Sequence, residues 1–140
     1  MSWIIIFPIV VIVFNVVIVF LNINYQKSKM HDNQLFDQKE FEHYKKMIRA
    51  AKDRGLKTFV TLHHFTSPLW LTKKGGWVAC RSAKLFARYA KKCAQEFGDL
   101  IDVYLTINEP QIYATGSYLS GRWPPQKFSP IKTTYLIRLR

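Results

Sequence analysis

Acidic side chains are scarce in this chain of 140 residues: nine Asp and Glu stand against twenty-one Lys and Arg, for a formal net charge of +12. Taken alone, that balance suits nucleic acid or an anionic membrane surface. The cations are dispersed rather than clustered, as in Lys45, Lys46, Arg49, Lys52, Arg54, Lys91 and Lys92. That is the pattern of solvated helix faces, and no nucleic-acid partner is expected. Cysteine is scarcer still. Cys80 and Cys93 lack metal-ligand spacing and do not form a disulfide framework. No metal or organic cofactor is implied. The chain has no basic stretch ahead of its first apolar run and no small-residue cleavage site after it, which argues against a cleavable signal peptide. Its length suits one core, so a single domain or a piece of a larger one is expected.

What is present begins with Trp3 to Leu21, almost wholly apolar and broken only by Pro8 and Asn15. Two readings are open. As a helix the run is long enough to cross a hydrocarbon core, which takes roughly 20 residues. Lys27 and Lys29 behind it would then favour a cytoplasmic position for the downstream residues. As β-structure, its Ile and Val suit buried parallel strands. The first reading anchors the protein in a membrane, and the second leaves it cytoplasmic. Residues 22–33 are a polar connector.

Helical periodicity comes next. Asp37 with Glu40 forms an acidic variant of a capping box. Phe41, Tyr44, Ile48 and Ala51 then recur at helical spacing, and Gly55 ends the helix after Lys52 and Arg54. Lys57 to His63 reads as a strand. His64 to Arg81 is a long loop dense in aromatics, Pro and Gly, and loops of that length usually carry function. A second helix starts near Ser82 as N-cap, buries Phe86, Tyr89, Ala90, Cys93 and Phe97, and stops at Gly98. Ile101 to Ile107 is β-branched and aromatic, as a buried strand of a parallel sheet would be. Pro110 ends it and is expected to hold Glu109 extended. Ile131 to Arg140 is a short basic segment.

The order helix, strand, helix, strand describes a right-handed βαβ unit whose strands end on one face. His63 or His64 would close the first strand, and Asn108 and Glu109 the second, so imidazole, amide and carboxylate meet on one rim. Tyr113, Tyr118, Gly121, Trp123, Pro124 and Pro125 would form an aromatic loop over it. Flat rings beside paired donors and acceptors suit a sugar, which has apolar C–H faces and many hydroxyls.

Thr61-Leu62-His63-His64-Phe65-Thr66-Ser67-Pro68-Leu69-Trp70-Leu71, Gly75-Gly76-Trp77, Thr106-Ile107-Asn108-Glu109-Pro110 and Gly121-Arg122-Trp123-Pro124-Pro125 occur in that order, and together they resemble glycoside hydrolase family 1, the β-glucosidase and β-galactosidase family. The resemblance runs from about Phe36 to Ser129. It implies an α/β fold that is a fragment of a (β/α)8 TIM barrel, from about the second helix to just beyond the fourth strand. A whole barrel takes about 250 residues. It also implies a retaining glycosidase acting on a β-glycoside or oligosaccharide. Glu109 matches the general acid/base, Asn108 the residue that binds the sugar 2-hydroxyl, and His64 the histidine that binds the 3-hydroxyl. Trp77 matches the tryptophan after the glycines, in a supporting role, while His63 reads as a structural histidine at a strand end. The family's nucleophile is a second glutamate in a Thr-Glu-Asn-Gly type motif, and these residues contain none. Glu40, Glu42 and Glu96 all fall on helices.

Three segments are thus expected: residues 1–33, apolar segment and connector; 34–130, partial family 1 barrel; and 131–140, a truncated tail. Asn22-Ile23-Asn24-Tyr25-Gln26-Lys27 faintly resembles the family's second strand. The chain is expected to be truncated and inactive alone. A membrane-anchored, non-catalytic carbohydrate-binding remnant is the alternative.

Overall fold

The computed structural model describes residues 10–13, 16–20, 36 and 38–138. Strands β1 (Val10–Val13) and β2 (Val16–Phe20) are followed by helix α1 (Gln38–Lys52), strand β3 (Lys57–His63), helix α2 (Leu69–Lys73), helix α3 (Ser82–Phe97), strand β4 (Val103–Ile107), helix α4 (Pro110–Ala114) and helix α5 (Pro130–Arg138). Among the described residues, one sheet takes all four strands in the order β1-β2-β3-β4. β2 and β3 run parallel, as do β3 and β4, whereas β1 is antiparallel to β2.

The apolar N-terminal run is therefore not one membrane-spanning helix. Two strands occupy it, and among the described residues no helix is long and apolar enough to cross a membrane. β-Branched Val and Ile lose side-chain freedom in a helix but fit a pleated sheet, and β3 offers β2 a parallel partner from Val16↔Lys57 to Phe20↔Thr61. Asp37 and the segment 22–27 lie outside the described residues.

The expected alternation of strand and helix is otherwise present. Phe41, Tyr44, Ile48 and Ala51 on α1, Val60 and Leu62 on β3, Tyr89, Cys93 and Phe97 on α3, and Ile101 form one buried cluster between the sheet and the two helices. Phe41 and Phe97, with ring centroids 5.5 Å apart, join the two helices at its centre. Each aromatic of this kind contributes roughly 1.5–3 kcal/mol of hydrophobic burial. At the rim of the cluster, Glu96 accepts from Lys45 at 2.6 Å and also pairs with Lys92. Gly55, at φ 73°, closes α1 with its N–H on the Lys52 carbonyl at 2.8 Å, a conformation glycine adopts without steric cost.

Three local expectations change. Ser82 is the first residue of α3 and not its cap; its hydroxyl donates to the Gly76 carbonyl at 2.6 Å and ties the helix start to the glycine turn. The long stretch 64–81 is partly helical, with α2 and a 3₁₀ turn at Gly76–Val78. β4 is also less covered than a buried strand: Val103 and Leu105 are 36% and 43% exposed. β4 is the last strand of the sheet, so its outer edge and the face away from α3 have fewer neighbours.

Candidate active site

The carboxyl ends of β3 and β4 lie side by side. His63 and Ile107 are the last paired residues, and the Asn108 N–H extends the ladder to the His63 carbonyl at 2.9 Å. The residues following each strand thereby fall on one edge of the sheet, which in parallel α/β folds is where functional groups collect. His64 follows β3; Asn108 and Glu109 follow β4.

Glu109 does not adopt the extended conformation expected before proline. Its φ and ψ are 41° and 59°, in the left-handed region, and it immediately precedes α4. Proline disfavours the right-handed helical region for the residue before it, and one left-handed residue turns the chain from strand into helix within a single step. For a residue with a side chain this costs about 1–2 kcal/mol. The carboxylate makes no capping bond to α4, and among the described residues it forms no ion pair. It is exposed at the sheet edge. Asn108 Nδ2 lies 3.5 Å from Glu109 Oε2, at the outer limit of a hydrogen bond. Burial lowers the pKa of the His64 imidazole, while the nearby Glu109 carboxylate opposes that shift. Amide, carboxylate and imidazole thus occupy one neighbourhood.

Behind this edge lies a second set of side chains. His63 is buried, with its ring edge-on to Trp77 at 4.8 Å and to Tyr113 at 5.2 Å between centroids. Burial, with a smaller contribution from His64, pushes its pKa down to about 4, so it is neutral at ordinary pH. Ser67 Oγ lies 3.3 Å from His63 Nε2 and 3.4 Å from the Tyr113 hydroxyl, and it accepts from Trp77 Nε1 at 3.0 Å. Trp77 therefore supports the imidazole of His63, and its other side packs on Phe86. Tyr113 and Tyr118 are not part of a loop over the rim: Tyr113 lies on α4, Tyr118 on the π-helical turn Thr115–Leu119, and both are buried. Trp123 does come from the loop after them. It stacks on Phe65 at 5.0 Å, and Phe65 itself is held at φ 62°.

Phe65 and Ser67 stand within a motif of the sequence without a role of their own, and Gly116 stands outside every motif. A Cβ on Gly116 would lie 2.4 Å from Trp123 Cε3, so the indole needs glycine there. A serine inside an aromatic loop carries no pattern of its own; only the fold shows three polar atoms turned toward it. Among the described residues, no group of three or more His, Cys, Asp or Glu side chains could hold a metal ion.

Parallel strands with covering helices, and an acid, an amide and an imidazole at their carboxyl ends, define a piece of a (β/α)8-type enzyme scaffold. Residues 30–138 match the model of glycosyl hydrolase family 1, and the chain belongs to that family. It is similar to a β-galactosidase of Pyrococcus woesei, 32% identical in an alignment that covers 70% of this chain and 22% of that protein. It is also similar to β-glucosidase 11 of Arabidopsis thaliana, 38% identical over 66% of this chain and 18% of that protein. Among solved structures, a β-glycosidase from Pyrococcus horikoshii superposes with a TM-score of 0.76 at 33% identity, over 88% of this chain and 28% of that one. The chain thus spans about a fifth of the length of these curated relatives.

Proposed function

We propose that these residues form the acid/base side of a retaining β-glycosidase site acting on β-glucosides or β-galactosides. The observation that carries this reading is the exposed Glu109 carboxylate at the end of β4, without an ion pair among the described residues, beside Asn108 and near His64. In a retaining mechanism Glu109 would protonate the glycosidic oxygen as the bond to the sugar breaks, and then take a proton from the incoming water. Asn108 and His64, one with donors and an acceptor and the other with a ring N–H and a lone pair, would hold sugar hydroxyls so that the bond faces the acid. Trp77 would act indirectly, through His63 and Ser67. The β-galactosidase and β-glucosidase relatives support the substrate class.

Retention also requires a carboxylate nucleophile about 5–5.5 Å from the acid. Among the glutamates of this chain, Glu40 and Glu42 lie on α1 and Glu96 on α3, where Glu42 and Glu96 pair with Lys45. The isolated 140-residue polypeptide is therefore proposed to lack turnover. Incubating it with an aryl β-glucoside should release no aglycone; release that disappears in the Glu109→Gln variant would overturn the proposal.

The helix positions of Glu40, Glu42 and Glu96 favour a second reading for the isolated 140-residue polypeptide, carbohydrate binding without catalysis. Its membrane anchor loses its basis, since strands occupy residues 10–13 and 16–20. Binding of a β-glucoside that needs His64 and Asn108 but is indifferent to Glu109→Gln would select it.

A further inference from the structure

His63, Trp77 and Tyr113 converge on Ser67, and their protons can be assigned by elimination. Trp77 Nε1 can only donate, so Ser67 Oγ accepts from it at 3.0 Å. The Tyr113 hydroxyl donates to the Pro124 carbonyl at 3.2 Å, which can only accept. Toward Ser67, at 3.4 Å, the Tyr113 oxygen therefore has only a lone pair to offer. The single Ser67 proton fills that place. His63 Nε2, 3.3 Å from Ser67 Oγ, must then carry the proton of its own contact. His63 Nδ1 is buried and makes no hydrogen bond among the described residues. The opposite assignment, with Ser67 donating to His63, would leave a proton on that unpartnered Nδ1. A buried N–H without an acceptor is rarer and more costly than a bare lone pair, so the Nε2–H form is selected.

The tethered groups come from different parts of the chain. His63 ends β3, and its carbonyl holds the Asn108 N–H. Trp77 lies in the 3₁₀ turn, and Pro124 in the loop that carries Trp123. Tyr113 lies on α4 and donates its own backbone N–H to the Glu109 carbonyl at 3.1 Å. Stiffness in this knot is therefore transmitted to the two residues that flank the proposed reaction, His64 and Glu109.

We infer that Ser67 is the positioning residue of this rim: one hydroxyl sets the proton on His63 and ties β3, the Trp77 turn and α4 into a single unit behind Glu109. Its value for catalysis rests on the glycosidase reading above; the proton assignment does not.

The test is imidazole and indole ¹⁵N spectroscopy on the full 140-residue chain. The wild type is expected to show His63 protonated at Nε2 and bare at Nδ1. Ser67→Ala should populate both tautomers and speed exchange of the Trp77 indole proton by about threefold to tenfold, the equivalent of one neutral hydrogen bond. Ser67→Thr should restore both signals. Tyr113→Phe keeps the ring but frees the Ser67 proton, and should also populate the Nδ1–H form, which covers the case in which Ser67→Ala fails to fold. A wild-type His63 protonated at Nδ1, or a folded Ser67→Ala or Tyr113→Phe chain with His63 unmoved, overturns the inference. Titration with an aryl thio-β-glucoside separates it from the glycosidase reading. Absence of binding with the Nε2–H form intact rejects the sugar site alone, whereas binding that Ser67→Ala leaves unchanged rejects the positioning role alone.

Discussion

The Asn108 backbone N–H donates to the His63 carbonyl at 2.9 Å, one rung beyond the last strand pair, His63↔Ile107. That bond fixes how far the β4 backbone continues alongside β3 before turning. Glu109 then has one residue in which to leave the sheet and start α4, and it does so at φ 41°.

The strain at that step should be measurable. Glu109→Gly removes the Cβ that makes the left-handed region costly, offset by glycine's greater freedom in the unfolded chain. The net expectation is a gain of about 0.5–1 kcal/mol. Glu109→Ala keeps a Cβ and should gain nothing of this kind. Urea midpoints of the two variants decide it, and equal midpoints would mean that the backbone stores no strain there.

Gly116 lies against the Trp123 ring, which stacks on Phe65. Gly116→Ala adds a methyl where the indole already sits, and an indole plane cannot bend away. A loss of about 1–3 kcal/mol is expected, with an altered Trp emission as the stack opens. Gly55→Ala, where a Cβ would meet nothing within 4 Å, serves as a control: only its positive φ opposes it, and the emission should not change.

Acid should act in two windows. His63 has a pKa of about 4 in the fold, below the ordinary imidazole value of 6.5. Between those values the unfolded chain binds a proton that the folded chain refuses. The His63 contribution to stability should therefore fall as pH drops from about 6.5 to about 4, by up to roughly 3 kcal/mol, and flatten below. His63→Phe should remove most of that slope in pH-dependent urea unfolding, leaving the part that the His64 imidazole, also lowered by burial, contributes. Glu96 and Asp102 are both held near 2, the first by hydrogen bonds from Lys45 and Lys92, the second by the Thr58 N–H and Lys52. Their contribution is present above the usual carboxylate range and is lost as pH falls through about 2, so a second, lower transition should survive His63→Phe.

The two cysteines should separate under a thiol reagent. Cys80 is exposed, whereas Cys93 is buried in the core, where burial pushes its thiol up to about 12. Because the thiolate is the reactive form, Cys80 should label quickly in the native protein and Cys93 only on unfolding. Native labelling of Cys93 at a comparable rate would contradict the packing of α3 on the sheet.

Much of this was legible in the residues themselves. The spacing of Phe41, Tyr44, Ile48 and Ala51 places one face of α1 in the core, because a 3.6-residue period leaves a helix few other ways to bury them. Lys57 to His63 reads as a strand for the same kind of local reason, and the His-His and Asn-Glu-Pro sequences mark the ends of two parallel strands. Other features depend on partners far along the chain. The run from Trp3 to Leu21 is apolar enough for a membrane helix or for strands, and the choice within it was made by the free edge of β3, which pairs with β2. Pro110 disfavours one backbone region for Glu109, but extended and left-handed conformations both remain; the His63–Asn108 rung and the start of α4 selected the second. Ser67 shows the same division. Its hydroxyl is a property of the sequence, whereas its neighbours arrive from His63, ten residues downstream at Trp77 and 46 residues downstream at Tyr113. Hydrogen-bond elimination works only once the acceptors are in place, and that placement belongs to the tertiary structure.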